Sequence, residues 1–343
     1  VDEIVPASDF DSAVEKSAQK LAATSDRPSE GKGIVLEPLK RRSTPDHLAY
    51  CAVDLTISRD VGVATLTISG PQSPPPTNLA ELINSGSAFW PLRTARELDD
   101  AILYLRFNEP EIGVLKFASH GDLSRVLSYD QFLEQYSDHW LCREIRLYWK
   151  RVLKRLDVTS RSMVSVIEPG SCFAGTLAEI LFACDRSYML SGMPEGTNIP
   201  PASILLTSVN FGAYPMSNGL TRLETRFLGQ PQLLKEAEIR IDAPLLGDEC
   251  ESMGLVTFAF DEIDWDDEIR IFLEERAAFS PDAMIGMEAN LRFAGPETME
   301  TKIFSRLSAW QNWIFQRPNA VGPKGALKRY GSGQKGEFNR ERV

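Results

Sequence analysis

Gly170-Ser171-Cys172-Phe173-Ala174-Gly175-Thr176-Leu177-Ala178-Glu179-Ile180-Leu181-Phe182-Ala183-Cys184-Asp185 is the stretch on which the fold turns. The apolar run Met163 to Ile167 enters it and reads as a strand, and Thr176 to Cys184 leaves it as a short apolar helix. The small residues between them make a turn and let a ligand approach the backbone closely. Free N–H groups at the start of the helix suit an anion or a developing oxyanion. Spacing alone is equally compatible with a tight strand-to-helix turn in any α/β protein.

Upstream, Phe117-Ala118-Ser119-His120-Gly121-Asp122-Leu123 follows another apolar strand, Ile112 to Phe117. Parallel sheets place their sites at the carboxyl ends of strands, so the two turns can meet at one pocket. His120 suits a general base or a structural hydrogen-bonder in the turn. Between the two strands, Tyr129 to Leu156 keeps a near-helical apolar period through Leu133, Tyr136, Trp140, Ile145, Tyr148, Val152 and Leu156, as one long helix or a broken pair. Before them, Leu92 to Phe107 is helical. Tyr50 to Ile57 and Val63 to Ile68 alternate as a hairpin across Arg59-Asp60-Val61-Gly62. Gly70 to Thr77, with three consecutive prolines, is a loop, and Ser187 to Leu190 reads as a further strand. Strands alternating with helices predict a parallel sheet with right-handed crossovers.

The ends differ from this middle. Residues 8–24 read as a helix capped by Ser8, with Phe10, Val14, Ala18 and Leu21 near one face. Asp26 to Pro45 reads as a linker. Three helices are expected over 266–279, 281–292 and 296–315. The last has a heavily apolar side (Phe304, Leu307, Trp310, Trp313, Ile314) that suits core or a subunit interface. Gly331 to Val343 reads as a surface tail.

Composition bounds the function. The 343 residues carry a net charge of −11, which disfavours a non-specific nucleic-acid surface, because phosphate binding needs excess Lys and Arg. Five cysteines (Cys51, Cys142, Cys172, Cys184, Cys250) with no CxxC fit free thiols in the cytoplasm rather than a disulfide framework. His47, His120 and His139 are dispersed, which disfavours a His-rich metal site. No apolar run reaches membrane-spanning length. The opening at Val1 reads as a truncated or processed start.

Four segments, in order, resemble the crotonase family of enoyl-CoA hydratases and isomerases. Ala118 to Leu123 looks like its A-x-G-x-D-[LI] turn, Glu179 to Asp185 like its E-L-A-x-x-C-D helix, Asn218-Gly219-Leu220-Thr221-Arg222-Leu223 like G-G-x-x-R-L, and Glu251 to Val256 like A-x-x-x-G-L-V. The resemblance covers about residues 48–265. It implies an α/β fold of the ClpP/crotonase type, a spiral of ββα units, followed by a helical region over 266–330 and a tail over 331–343. Residues 1–25 resemble the closing segment of another such unit, joined by a linker over 26–47, which suggests a two-unit parent. Taken whole, with Tyr330-Gly331-Ser332-Gly333, the chain is similar to the C-terminal part of the crotonase-type lyases that open the ring of CoA-activated benzoate using water. That likeness implies an acyl-CoA thioester substrate, formate and an aldehyde-bearing thioester as products, no metal or redox cofactor, an N-terminal unit of the same parent as partner, and a homo-oligomer.

In that family two backbone N–H groups polarise the thioester carbonyl. The resemblance puts them at Ser119 and Thr176, and puts one of a hydratase's two carboxylates at Glu179. Departures are plain. The family prefers Gly where Thr176 stands and a small residue where Leu177 stands. The second carboxylate would fall near Pro201-Ala202-Ser203, where there is no acid, and Glu195 is the nearest alternative. Cys172 and Ser171 are candidate hydrogen-bond donors or unusual acid–base groups, or simply small turn residues. Three readings therefore stand: a degenerate unit that supplies structure while the preceding unit does the chemistry, a working thioester site built on Ser119, Thr176 and Glu179, and an interaction module unrelated to catalysis.

Overall fold

The structure is a computed structural model that describes residues 2–26, 33–192 and 198–341. The chain divides into two compact units, residues 1–36 and 37–343. The first contains one helix, α1 (Phe10–Ala23). Its N-cap is Asp9, after a 3₁₀ turn over Ala7–Asp9, so Ser8 lies inside that turn and spends its hydroxyl on Asp9 instead of capping the helix. None of the α1 residues is buried, and Phe10, Val14 and Leu21 are half exposed or more.

The second unit begins earlier than the linker reading allows. β1 (Arg42–Thr44) lies inside the stretch read as linker and pairs antiparallel with β2 (His47–Ala49). β3 (Val53–Ser58) and β4 (Val63–Ser69) form the expected hairpin. Then come α2 (Leu79–Ser85), α3 (Trp90–Asn108), β5 (Val114–His120), α4 (Leu123–Gln135), α5 (Trp140–Asp157), β6 (Ser162–Ile167), α6 (Gly175–Ala183) and β7 (Arg186–Leu190). The apolar period from 129 to 156 thus belongs to a broken pair of helices. The rest of this unit is β8 (Ser203–Leu205), α7 (Arg222–Arg226), α8 (Pro231–Ile239), β9 (Pro244–Leu246), α9 (Gly247–Ser252), β10 (Phe258–Phe260), α10 (Trp265–Ala277), α11 (Pro281–Arg292), α12 (Met299–Lys302), α13 (Ser308–Ile314), α14 (Pro318–Val321) and α15 (Ala326–Arg329), with α12 and α13 joined by a π-helical turn over Ile303–Leu307.

Eight strands form one sheet in the order β1-β2-β3-β4-β5-β6-β7-β10, while β8 and β9 pair separately. Pairing is antiparallel as far as β4 and parallel from β4 onward, as the alternation of strands and helices predicts. Register sorts the side chains. Leu66 lies opposite Phe117, and Phe117 opposite Ser165, and all three point to the face covered by α3, α5 and α6. On the other face Val114, Val164, Val166, Tyr188 and Leu190 pack against Trp265, Ile269 and Phe272 of α10. β6 is buried on both faces and accordingly reads as a nearly continuous apolar run, Ser-Met-Val-Ser-Val-Ile. Fully buried side chains such as Phe117 and Trp149 contribute about 1.5–3 kcal/mol each.

Arginines fix the C-terminal helices to the sheet. Arg292 at the end of α11 donates to the carbonyls of Leu156, Thr159 and Arg161 and to Asp185. Trp310 of α13 lies against Gly286, where a β-carbon would fall 2.2 Å from its ring. The outer side of this last helical segment remains exposed at Met299, Phe304 and Phe315. The tail is not free: Asn339 exchanges two hydrogen bonds with Asn319 (2.8 and 2.9 Å), and Glu337 pairs with Lys324 and Arg329.

Candidate active site

The loops after β4, β5 and β6 converge at their carboxyl ends. Gly70 donates to the carbonyl of His120 (2.8 Å), and Gly121 donates to that of Gly170 (2.9 Å). A β-carbon on Gly121 would fall 2.9 Å from the α-carbon of Gly70, so this contact admits only glycine. Cys172 seals the junction. It is fully buried, its sulfur would lie 3.2 Å from a β-carbon on Gly70, and burial pushes its thiol pKa up to about 11. A thiol in that state is neutral at physiological pH and is a packing group here. Its N–H donates to Ser119 Oγ (3.0 Å), while Ser119 holds its place in the ladder opposite Ile68. His120 is exposed and lies 3.2 Å from Ser69 Oγ through Nε2, the position of a structural hydrogen-bonder.

Thr176, the second N–H position implied by the resemblance, has a partner within the chain. Its N–H donates to Asp130 Oδ2 (2.7 Å), and its hydroxyl donates to Asp130 Oδ1 (2.7 Å). Asp130 comes from α4 and is buried, so a carboxylate from another helix caps α6, whose own preceding residue, Ala174, has no side chain to do so. Gly175, with φ +43°, makes room: a β-carbon there would lie 2.1 Å from Asp130 Oδ2. The carboxylate occupies the anion position that the start of this helix offers.

Glu179 projects from the same helix into a second closed set of partners. Arg222 Nη1 donates to its Oε2 (2.8 Å), and Asn210 Nδ2 donates to its Oε1 (2.8 Å) and to the Gly175 carbonyl (2.9 Å). Arg222 also forms a two-pronged pair with Asp157 (3.1 and 2.7 Å) and donates to the Tyr214 carbonyl (3.0 Å). Tyr214 Oη in turn lies 3.3 Å from Thr176 Oγ1. Asp130, Thr176, Tyr214, Arg222, Glu179, Asn210 and Asp157 are therefore one continuous buried network. Burial raises the pKa of both Glu179 and Asp157, against the lowering effect of Arg222.

The residues therefore divide. Ser119 meets Cys172 and Thr176 meets Asp130, whereas Glu179 turns to Arg222. At Pro201-Ala202-Ser203 the structure has a buried Ala202 and the start of β8, while Glu195 lies outside the described residues. Asp130 and Asn210 escape the sequence reading. Asp130 does carry a signal, since it falls four residues after Val126 and three before Leu133, both core positions of α4, and a carboxylate there needs buried donors. The large opening in this region lies elsewhere. A cleft of about 650 Å³ runs between the proline loop and the start of α3, lined by Gly70, Pro74, Trp90, Arg93 and Tyr129 among others, and neither Thr176 nor Glu179 reaches it.

One consequence is measurable. Burial pushes the Asp130 carboxyl up to about 6, above the roughly 3.9 of an unfolded Asp, despite the two Thr176 bonds. Between those values the folded state holds a proton that the unfolded state has lost, so this group's contribution to stability falls as pH rises from about 4 to 6. The loss totals about 2–3 kcal/mol by neutral pH. Asp130→Asn removes it. Stability measured against pH should show the wild-type chain losing ground to the variant across that window, and parallel curves would refute the assignment.

Comparison with known proteins agrees with this geometry. No protein-family model matches the chain. Solved structures do. An enoyl-CoA hydratase from Geobacillus kaustophilus superposes with a TM-score of 0.58 at 15% identity, covering 88% of this chain and all of that one. An enoyl-CoA hydratase/carnitine racemase from Magnetospirillum magneticum gives 0.57 at 14% identity, over 86% and 98%. The chain has the crotonase fold. In sequence it is 46% identical over all 343 residues to the benzoyl-CoA-dihydrodiol lyase of Aromatoleum evansii, and it spans 61% of that protein's length. On the crotonase fold, the α6 start and Glu179 are the positions where the sequence resemblance placed the thioester chemistry, and here both are saturated by the chain's own side chains. Among the described residues no helix is long and apolar enough to cross a membrane.

Proposed function

We propose that this chain is a degenerate crotonase unit with a structural role inside a cytoplasmic lyase that opens the ring of CoA-activated benzoate. The whole enzyme takes the 2,3-epoxide or dihydrodiol of benzoyl-CoA to an aldehyde-bearing adipyl-CoA-type thioester plus formate, with water as co-reactant and no metal or redox cofactor. Its main active site lies in the N-terminal unit, which is this chain's partner. Similarity to the Aromatoleum lyase supports the substrate class. The observation that carries the degenerate role is the Asp130 carboxylate on the Thr176 N–H. A thioester oxygen that becomes an enolate cannot share that donor with a resident anion, and a carboxylate beside a forming oxyanion opposes it. Glu179 is buried, accepts from Arg222 and Asn210, and does not line the 650 Å³ cleft, so it is held in the network rather than placed for proton transfer to a substrate there. The exposed apolar side of the last helical segment (Phe304 is 75% exposed) supports a homo-oligomer, and the bare stripe on α1 supports a partner for the first unit.

A second reading, in which this unit holds acyl-CoA without transforming it, is favoured by the 650 Å³ cleft, where the Arg93 Nε is a buried donor without a hydrogen-bond partner among the described residues. Two measurements on the isolated chain separate these readings. Ring opening of the benzoyl-CoA dihydrodiol should be absent, and turnover near that of the whole enzyme would overturn the degenerate role. Calorimetric titration with coenzyme A then decides the rest: heat that saturates at one equivalent establishes the holding role, and no heat leaves the unit purely structural.

A further inference from the structure

Charge is segregated along the chain. From Asp261 to Glu275, across α10, eight carboxylates stand against one arginine, and from Lys324 to Arg340 five cations stand against one carboxylate. The outer side of α10 has a definite pattern. Ile271 is 44% exposed, and its neighbours one helical turn away in both directions are Asp267, Glu268, Glu274 and Glu275, all exposed. Arg270, the one cation there, is shared between Asp267 and Glu274 (3.1 Å each). The tail has the converse pattern. Leu327 and Tyr330 are 52% and 91% exposed, and Lys324, Lys328, Arg329 and Lys335 flank them in the chain. Glu337 holds Lys324 and Arg329, whereas Lys328 and Lys335 are exposed and form no ion pair among the described residues. The two surfaces lie side by side. An open hollow of about 800 Å³ is bounded by Glu275, Ala278 and Phe279 at the end of α10 and by Lys335, Phe338 and Arg340 of the tail.

We propose that this face is the contact between two copies of the chain related by a two-fold axis, with the acidic side of α10 in each copy seated on the basic tail of the other. A second copy is the partner that fits, because both halves of the match are on one chain and a two-fold axis uses each of them twice. Each half sets an apolar side chain among charges of one sign. Pairing them therefore covers Ile271 and Tyr330 inside a rim of opposite charges, the usual anatomy of a protein interface. Copies that each carry a net charge of −11 repel one another at long range, and the basic tail reverses that repulsion locally, which fixes the register of the contact. The inference rests on the homo-oligomer proposed above and assigns it a charged face, separate from the apolar side of the last helical segment.

Sedimentation velocity of the full chain over a range of concentrations tests this. The chain should dimerise at low salt and dissociate at high salt, because screening removes the attraction between exposed charges. Lys328→Glu/Lys335→Glu should weaken dimerisation about tenfold or more at low salt, and Glu268→Lys/Glu275→Lys should do the same. All four side chains are exposed, so the variants keep the fold. The quadruple variant, with charges exchanged on both sides, should recover the dimer, a rescue that a damaged fold could not mimic. An oligomer indifferent to salt and to both reversals would overturn this face and leave the homo-oligomer standing. A monomer at every salt and concentration would overturn both. Double variants that weaken the dimer without rescue in the quadruple would overturn the pairing of α10 with the tail.

Discussion

Arg222→Met should lower the folding stability of the chain by about 3–5 kcal/mol, the scale for removing one partner of a buried ion cluster. Arg222 is only 2% exposed and binds Asp157 and Glu179 at once, with Tyr214 as a third acceptor. Methionine fills much of the same volume, so packing changes little and the loss is electrostatic. Two buried carboxylates remain without their cation, and burial already raises the pKa of both. Their escape is protonation. The folded-state pKa values of both acids rise further in the variant, so its deficit is largest above neutral pH and shrinks as pH falls and the acids take up protons. Urea denaturation at pH 8 and pH 5 measures both features. A loss below about 1 kcal/mol at pH 8, the value of an exposed pair, would show that the cluster is not the closed unit described here.

Gly175→Ala should cost about 2–4 kcal/mol, from a left-handed backbone conformation and a forced steric contact together. Its φ is +43°, and the new methyl would sit 2.1 Å from Asp130 Oδ2 and 3.2 Å from Thr207 Oγ1. The carboxylate cannot swing away without dropping both Thr176 bonds. That predicts a coupling: in the double variant Asp130→Ala/Gly175→Ala the clash is gone, so the combined loss should fall short of the sum by 1 kcal/mol or more. Strict additivity would mean that the Asp130 carboxylate does not occupy the start of α6.

How much of this was legible in the sequence depends on length and pattern. The hairpin over 53–69, the strand at 162–167 and the helix at 175–183 stand out because alternation or apolar runs persist over six residues or more, and the parallel order follows from their alternation with helices. β8, β9 and β10 have three residues each, too few for a period to register, and they lie in a stretch broken by Pro and Gly. β1, within what reads as a linker, is fully exposed and carries no apolar signal at all. At the site, family motifs lead to Thr176, Glu179 and Arg222, yet what these residues do is set by partners far away in the chain. Asp130 is 46 residues from Thr176, and Asp157 is 65 from Arg222. Spacing within a motif carries no information about such contacts, and a carboxylate in a helix reads the same whether it meets water or a buried N–H. The one local hint, an acid among the core positions of α4, marks a need for donors without naming them.

On the proposed reading, the chain's own side chains have taken over the thioester site of this unit, and Glu179→Gln in the whole lyase should leave catalysis nearly intact. Glutamine keeps the shape and can still accept from Asn210, while Arg222 keeps Asp157. Steady-state kinetics with the benzoyl-CoA dihydrodiol should give kcat and kcat/KM within a few-fold of wild type, beside a modest drop in thermal stability. A fall of about a hundredfold or more in kcat at unchanged folding, the scale of a lost acid–base group, would contradict the account and place working chemistry in this unit.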